Sequence, residues 1–176
     1  MRKFLIAPAL VALAMVTAPL RADALPPEIS ATVGQATPIG AVSFSALGFK
    51  FYDAKLYTAG GRAFGWEQPF GLELAYSRGI SAGQLIGATM RELRRMEGRQ
   101  GDHAAIEAQL ATCFKSVSQG DRYVAIPAGR DGVDFWLNGR KTCELRHPGA
   151  RERVLGIWLS DNARDPALSR KLRGQG

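Results

Sequence analysis

Histidine and cysteine are scarce in this 176-residue chain, with two of each. His103 and His147 stand 44 positions apart and no H-E-x-x-H or C-x-x-C occurs, so no metal-ligand spacing is present. A lone histidine at the start of a helical pattern reads first as a capping or surface residue. There is no G-x-S-x-G, which excludes a nucleophile elbow. No glycine-rich turn leads from a strand pattern into a helix pattern, so nicotinamide and flavin cofactors are excluded and no cofactor is expected. Carboxylates are scattered; Asp131 and Asp134 flank one short strand pattern and read as turn chemistry. No repeat or low-complexity block is present, and only one long apolar run exists, at the N-terminus.

That run has the anatomy of a signal peptide. Arg2 and Lys3 precede an apolar stretch from Phe4 to Leu20, and Ala22-Asp23-Ala24 is an A-x-A cleavage site. The expectation is cleavage after Ala24, a signal peptide over residues 1–24, and a single domain over residues 25–176. The mature chain is then exported, to a bacterial periplasm, and is not an integral membrane protein. The formal net charge is +7. Export makes nucleic acid an unsuitable partner, and the dispersed arginines read as solubility. In an oxidising compartment Cys113 and Cys143 are expected to pair, since both fall on inward-facing stripes. Spacing alone leaves two separate buried thiols as the alternative.

Residues 25–37 read as an extended lead-in. Alternation around Val42 and Phe44 suggests a first strand, and the aromatic-rich stretch from Leu47 to Thr58 a second, with Phe49, Phe51 and Asp53 on one face and Lys50, Tyr52, Ala54 and Leu56 on the other. Phe70, Leu72, Leu74 and Tyr76 share a face of a half-buried strand. Ser81 and Gln84 form a capping box ahead of an amphipathic helix over 82–97, whose Arg91, Arg94, Arg95 and Arg99 read as a solvated face. Asp102 opens a second helix with Ile106, Leu110, Cys113 and Phe114 buried. Strands follow over 122–126, 133–137 and 140–145, the last two joined by Asn138-Gly139, a strong hairpin signal. Pro148 marks the first turn of a third, mostly apolar helix, and Asp165-Pro166 caps a short terminal one. Hairpin-linked strands segregated from helices predict an α+β domain, an antiparallel β-sheet with helices packed on one face. The aromatic residues on these strands suit a core, or the wall of an apolar cleft.

The segments GFKFYDAKLY (48–57), PFGLELAYSRGIS (69–81), RELRRM (91–96), QGDRYVAI (119–126), DFWLNGRKTCEL (134–145) and VLGIWLSDNARDPALSRKLRG (154–174) together resemble the chalcone isomerase-like family of exported bacterial proteins. The resemblance implies an open-faced sandwich with a cleft between sheet and helices. It also implies what is missing for cyclisation. No arginine lies between Arg21 and Arg62, where the plant isomerases carry the one that positions the nucleophile. Tyr52 stands at their threonine position, Gly79 and Gly83 replace a lysine and an asparagine, Ile157 falls near the late-helix polar position, and only Tyr76 is retained. Related plant proteins of this fold bind fatty acids without isomerising anything. Three readings follow. The leading one is a non-catalytic holder of a small hydrophobic or amphipathic ligand, fatty-acid-like, contacted by Tyr52, Tyr76 and Arg78. The second is an isomerase or intramolecular lyase on another substrate, with Tyr52 and Tyr76 as catalytic donors. The third is an envelope interaction protein with a closed core and an arginine-rich helix as its contact surface. An open cleft favours the first two.

Overall fold

Apolar alternation along the strands is converted into a two-faced sheet, and the helices cover the faces unequally. The computed structural model describes residues 24–176; the segment read as a signal peptide lies, but for Ala24, outside the described residues. The order is α1 (Pro27–Val33), β1 (Ala36–Ala46), β2 (Phe49–Ala59), β3 (Phe70–Tyr76), α2 (Ala82–Glu97), α3 (His103–Cys113), β4 (Arg122–Pro127), β5 (Gly132–Leu137), β6 (Arg140–Arg146), α4 (Ala150–Leu159) and α5 (Pro166–Leu172). The six strands pair in sequence order, and every pairing is antiparallel. This is the α+β sheet that the sequence predicts.

One face carries the main core. Leu56 from β2, Phe70 and Leu72 from β3, and Phe135 from β5 meet Leu93, Leu110 and Leu155 from α2, α3 and α4. Fully buried leucines of this kind each contribute roughly 1.5–3 kcal/mol relative to exposure. α2 begins at the expected capping box: the Gln84 amide donates to Ser81 Oγ, and the Ser81 amide to Gln84 Oε1. α5 is capped by Asp165, which accepts from the Ala167 and Leu168 amides. Cys113 and Cys143 form a disulfide with Cα atoms 4.9 Å apart, tying α3 to β6.

Four expectations are corrected. Residues 25–37 are not an extended lead-in: they hold α1 and the start of β1. α1 has Pro27 in its first turn and Gly34 at its end, and it packs Ile29 and Val33 against Tyr57, Val124 and Ile126 on the opposite face of the sheet. Helices α2 to α5 therefore share one face while α1 alone covers the other. Gly71 makes room for it, since a Cβ there would meet Ile29 Cγ1 at 2.9 Å. Asp102 precedes α3 without capping it, because its carboxylate is taken by Arg153. α4 starts at Ala150, with Gly149 at φ 68° as its N-cap, so Pro148 lies before the helix rather than in its first turn. β1 runs to 11 residues, longer than its interior Pro38 and Gly40 suggest. It is an edge strand, where a proline without an amide proton disturbs no second neighbour.

Candidate functional site

β1 and β2 place the first residues of the site. They form a long hairpin whose register slips near its tip: Phe44 pairs with Tyr52, but Ser45 pairs with Lys50. Phe51 is the extra residue of a β-bulge, and a bulge re-aims the side chains beside it. The strict alternation expected for this strand fails at that point. Lys50 joins Asp53 in an ion pair of 2.6 Å, and Phe51 comes to the same side as Tyr52. Two consecutive aromatic residues thereby face the space between sheet and helices.

That space is a cavity of about 820 Å3. β1 contributes Val42 and Phe44, β3 Leu72 and Leu74, α4 Ile157, and α5 Leu172. Ile157, the residue near the family's late-helix polar position, is thus part of an apolar wall. An aromatic ladder crosses the floor. Phe44 stacks on Tyr52 at 5.2 Å between ring centroids, Tyr52 meets Tyr76 edge-on at 5.8 Å, and Tyr76 meets Tyr123 at 6.4 Å. Tyr52 and Tyr76 are direct cross-strand partners, which fixes their approach.

The two tyrosines differ in what holds them. Trp158 Nε1 donates to the Tyr52 hydroxyl at 2.9 Å, leaving that hydroxyl its own proton to donate. Burial pushes the Tyr52 hydroxyl up to about 12, against the opposing effect of the Trp158 bond. Burial also raises Tyr76, and the neighbouring Tyr52 and Tyr123 raise it further. Tyr76 lines the cavity; its backbone bonds Asp121 and Gly120, while its hydroxyl has no hydrogen-bond partner among the described residues. Both phenols stay neutral at physiological pH and can act as donors toward an oxygen atom in the cavity.

Arg78, the third residue expected at the site, is not inside. It is exposed at the rim, with its guanidinium 5.1 Å from the ring centres of both Phe49 and Phe51. Arg91 and Arg164 also line the cavity. Of the three, Arg164 is paired with Glu92, whereas Arg78 and Arg91 have no ion pair among the described residues. The arginine-rich face of α2 is thus divided: Arg94 and Arg95 are paired with Glu107 and Glu92, and Arg91 reaches the cavity rim.

Sequence reasoning missed Phe44 and Arg91 as parts of the site, and placed Trp158 among the aromatic residues of a core or cleft wall without its bond to Tyr52. Nothing local announces the Trp158–Tyr52 bond, which spans 106 positions. The histidines lie elsewhere. His103 bonds Glu97 at 3.1 Å, and His147 is 3.6 Å from Asp102, in a charged cluster joining α2, α3 and α4. Asp134 pairs with Lys141 and Arg146, and Asp131 accepts from the Gly149 amide. Among the described residues no group of three or more His, Cys, Asp or Glu is placed to hold a metal ion, and no helix is long and apolar enough to cross a membrane.

The architecture is that of a chalcone isomerase-like fold: an antiparallel sheet, helices over one face and a cleft between them. It is shared with the crystal structure of a fatty-acid binding protein from Arabidopsis thaliana, at a TM-score of 0.60 and 9% identity, covering 80% of this chain and 88% of that one. No family model and no curated protein sequence matches the chain.

Proposed function

We propose that the protein binds a single-chain amphipathic ligand of the fatty-acid type in the cleft and performs no chemistry on it. The carrying observation is the cavity itself: about 820 Å3, walled by apolar side chains, with two neutral tyrosine donors on its floor. Small-molecule sites span ~300–1,000 Å3 and pair an apolar wall with a few polar groups that orient the ligand. Tyr52 and Tyr76 are suited to an oxygen-bearing headgroup, and the exposed Arg78 to an anionic group that reaches the rim. The likeness to a fatty-acid binding protein of the same fold supports the choice of ligand. The open cavity also disfavours the closed-core interaction protein. Cyclisation of a chalcone needs a cation beside the attacking phenolate. Arg78 and Arg91 sit at the rim and Arg164 is paired with Glu92, so no acceleration above the spontaneous rate is expected. The reading includes export: cleavage after Ala24 would deliver the domain 25–176 to the periplasm.

Native mass spectrometry of the protein recovered from cells is the test. The expected result is a polypeptide beginning at Leu25 with a fatty acid of one chain bound per molecule. Ala88→Trp, at the exposed edge of the cavity, should abolish the bound mass while leaving the thermal midpoint in place. Protein free of lipid that also fails to displace a fluorescent fatty acid would overturn the ligand; retention of Met1 on fractionated protein would overturn the export.

A further inference from the structure

The sheet contains two tight hairpins of the same kind, and they are built from opposite residue types. Asn138 and Gly139 join β5 to β6 with φ values of 51° and 81°. Leu47 and Gly48 join β1 to β2 with φ values of 51° and 77°. Positive φ at both central residues is the type I′ pattern, for which Asn-Gly is the favoured pair. A leucine in the left-handed region is unfavourable for the backbone, and its side chain finds no cover: Leu47 is 96% exposed. Phe49, two positions on, is 60% exposed. These are the only two large apolar side chains exposed among the described residues. Both stand on one turn.

The surroundings of that turn say what it meets. Arg78 lies against Phe49 and Phe51 and has no ion pair among the described residues, and Arg91 at the cavity rim has none either. The cavity lining extends to Ala46, the residue next to Leu47. An apolar tip backed by unpaired cations matches an anionic lipid surface, in which hydrocarbon lies behind negative headgroups. Two side chains on one turn are far too little for a stable protein interface, which needs about 1,000 Å2 or more. They suffice for shallow insertion.

We propose that the Leu47–Phe49 hairpin tip docks the protein on anionic membrane surfaces, inserting Leu47 and Phe49 between the headgroups with Arg78 and Arg91 on the phosphates. The cavity mouth is then held against the bilayer. The idea stands on the surface alone and does not require a particular ligand in the cleft.

Vesicle flotation tests it, on the protein as recovered from the cells that make it. Wild type should float with vesicles of phosphatidylcholine and phosphatidylglycerol at 3:1 and much less with phosphatidylcholine alone. Leu47→Asn installs the residue the turn prefers, so its thermal midpoint should hold or rise while partition onto the anionic vesicles falls by about tenfold. Arg78→Gln should reduce the preference for anionic vesicles. Leu47→Trp gives a local readout: its added emission should move to the blue on anionic vesicles. Leu47→Asn floating like wild type, or Leu47→Trp emission indifferent to vesicles, would overturn the proposal. So would a dimer in sedimentation that Leu47→Asn dissociates without any vesicle binding, which would assign the tip to a second copy of the chain.

Discussion

The same face of the same sheet is solid at one end and hollow at the other. Toward β6, helices α3 and α4 lie close, the disulfide joins α3 to β6, and Leu110, Leu145 and Leu155 are fully buried and outside the cavity lining. Over β1 to β3 the cover is α5 and the flanks of α2 and α4, and between them the sheet faces the cavity, which reaches as far as Tyr123 and Ala125 of β4 and Phe135 of β5. The difference lies in the match between strand and helix length. The β1–β2 hairpin has 11 residues in each strand while α5 has 7. A sheet that outruns its helices leaves apolar surface uncovered. Here aromatic side chains line that surface without filling it.

Truncations should separate the two ends most sharply. Leu110 is fully buried in the solid end, so Leu110→Ala should cost about 3–5 kcal/mol, the transfer of its side chain plus a new cavity. Leu74 already borders the cavity, so Leu74→Ala removes contacts on one side only and should cost about 1–2 kcal/mol. Urea unfolding of the pair measures the difference; equal losses would mean that the hollow end is as tightly packed as the other. Next comes the disulfide. Its two cysteines are 30 positions apart, and closing such a loop contributes about 3–4 kcal/mol by loop entropy. Cys113→Ala with Cys143→Ala should lower the urea midpoint accordingly while changing fatty-acid affinity little, since neither cysteine lines the cavity.

The charged cluster at the solid end gives a smaller, pH-dependent effect. Arg153 donates to Glu97 at 2.7 Å and to Asp102 at 2.8 Å. Burial pushes the Glu97 carboxyl up, but hydrogen bonds from Arg153 and His103 outweigh it and hold it below its usual range. The Arg153 hydrogen bond lowers Asp102 in the same direction. A carboxylate depressed in the folded state stabilises fully above its unfolded value, about 4, and that contribution is lost as pH falls through the folded value. Arg153→Gln should therefore cost about 1–3 kcal/mol at pH 7, and its gap from wild type should narrow below about pH 4. A gap independent of pH in paired urea titrations would show that Arg153 acts through packing instead. The smallest effect belongs to the hollow end. Tyr52→Phe leaves Trp158 Nε1 without its acceptor and should cost about 1 kcal/mol, with a loss of ligand affinity that Tyr76→Phe shares.

The elements that were legible in the sequence are those whose signals are local. The Ser81–Gln84 box, the Asn138-Gly139 turn and the alternation from Phe70 to Tyr76 each specify their own geometry, and the sheet and its four covering helices follow from them. α1 was hidden because two prolines and a seven-residue length look like loop. Its Pro27 first turn, the Ile29 and Val33 pair one turn apart, and the Gly34 stop are helix signals in retrospect. Its partner at Gly71 cannot be read from one sequence. At the site, Tyr52 and Tyr76 were reachable through strand phase and resemblance. The bulge at Phe51 was not, because alternation carries no mark of an inserted residue; it moved Phe51 and Lys50 to the faces opposite those expected.

The place of α5 in the chain has a consequence for the order of assembly. Every strand pairs with its neighbour in sequence, so the sheet grows from short-range closures, the longest being the β3 to β4 step around α2 and α3. Long-range contacts are slow to form, and the longest one here joins the last helix to the first strand. The Lys171 and Leu172 carbonyls press so closely on Gly40 that a Cβ there would overlap them. As the chain emerges from a ribosome or a translocation pore, the sheet and α2 to α4 can assemble before Leu168 and Leu172 arrive. The wall that completes the cavity is then the final piece set in place, and until it docks the cleft stands open along the β1 edge.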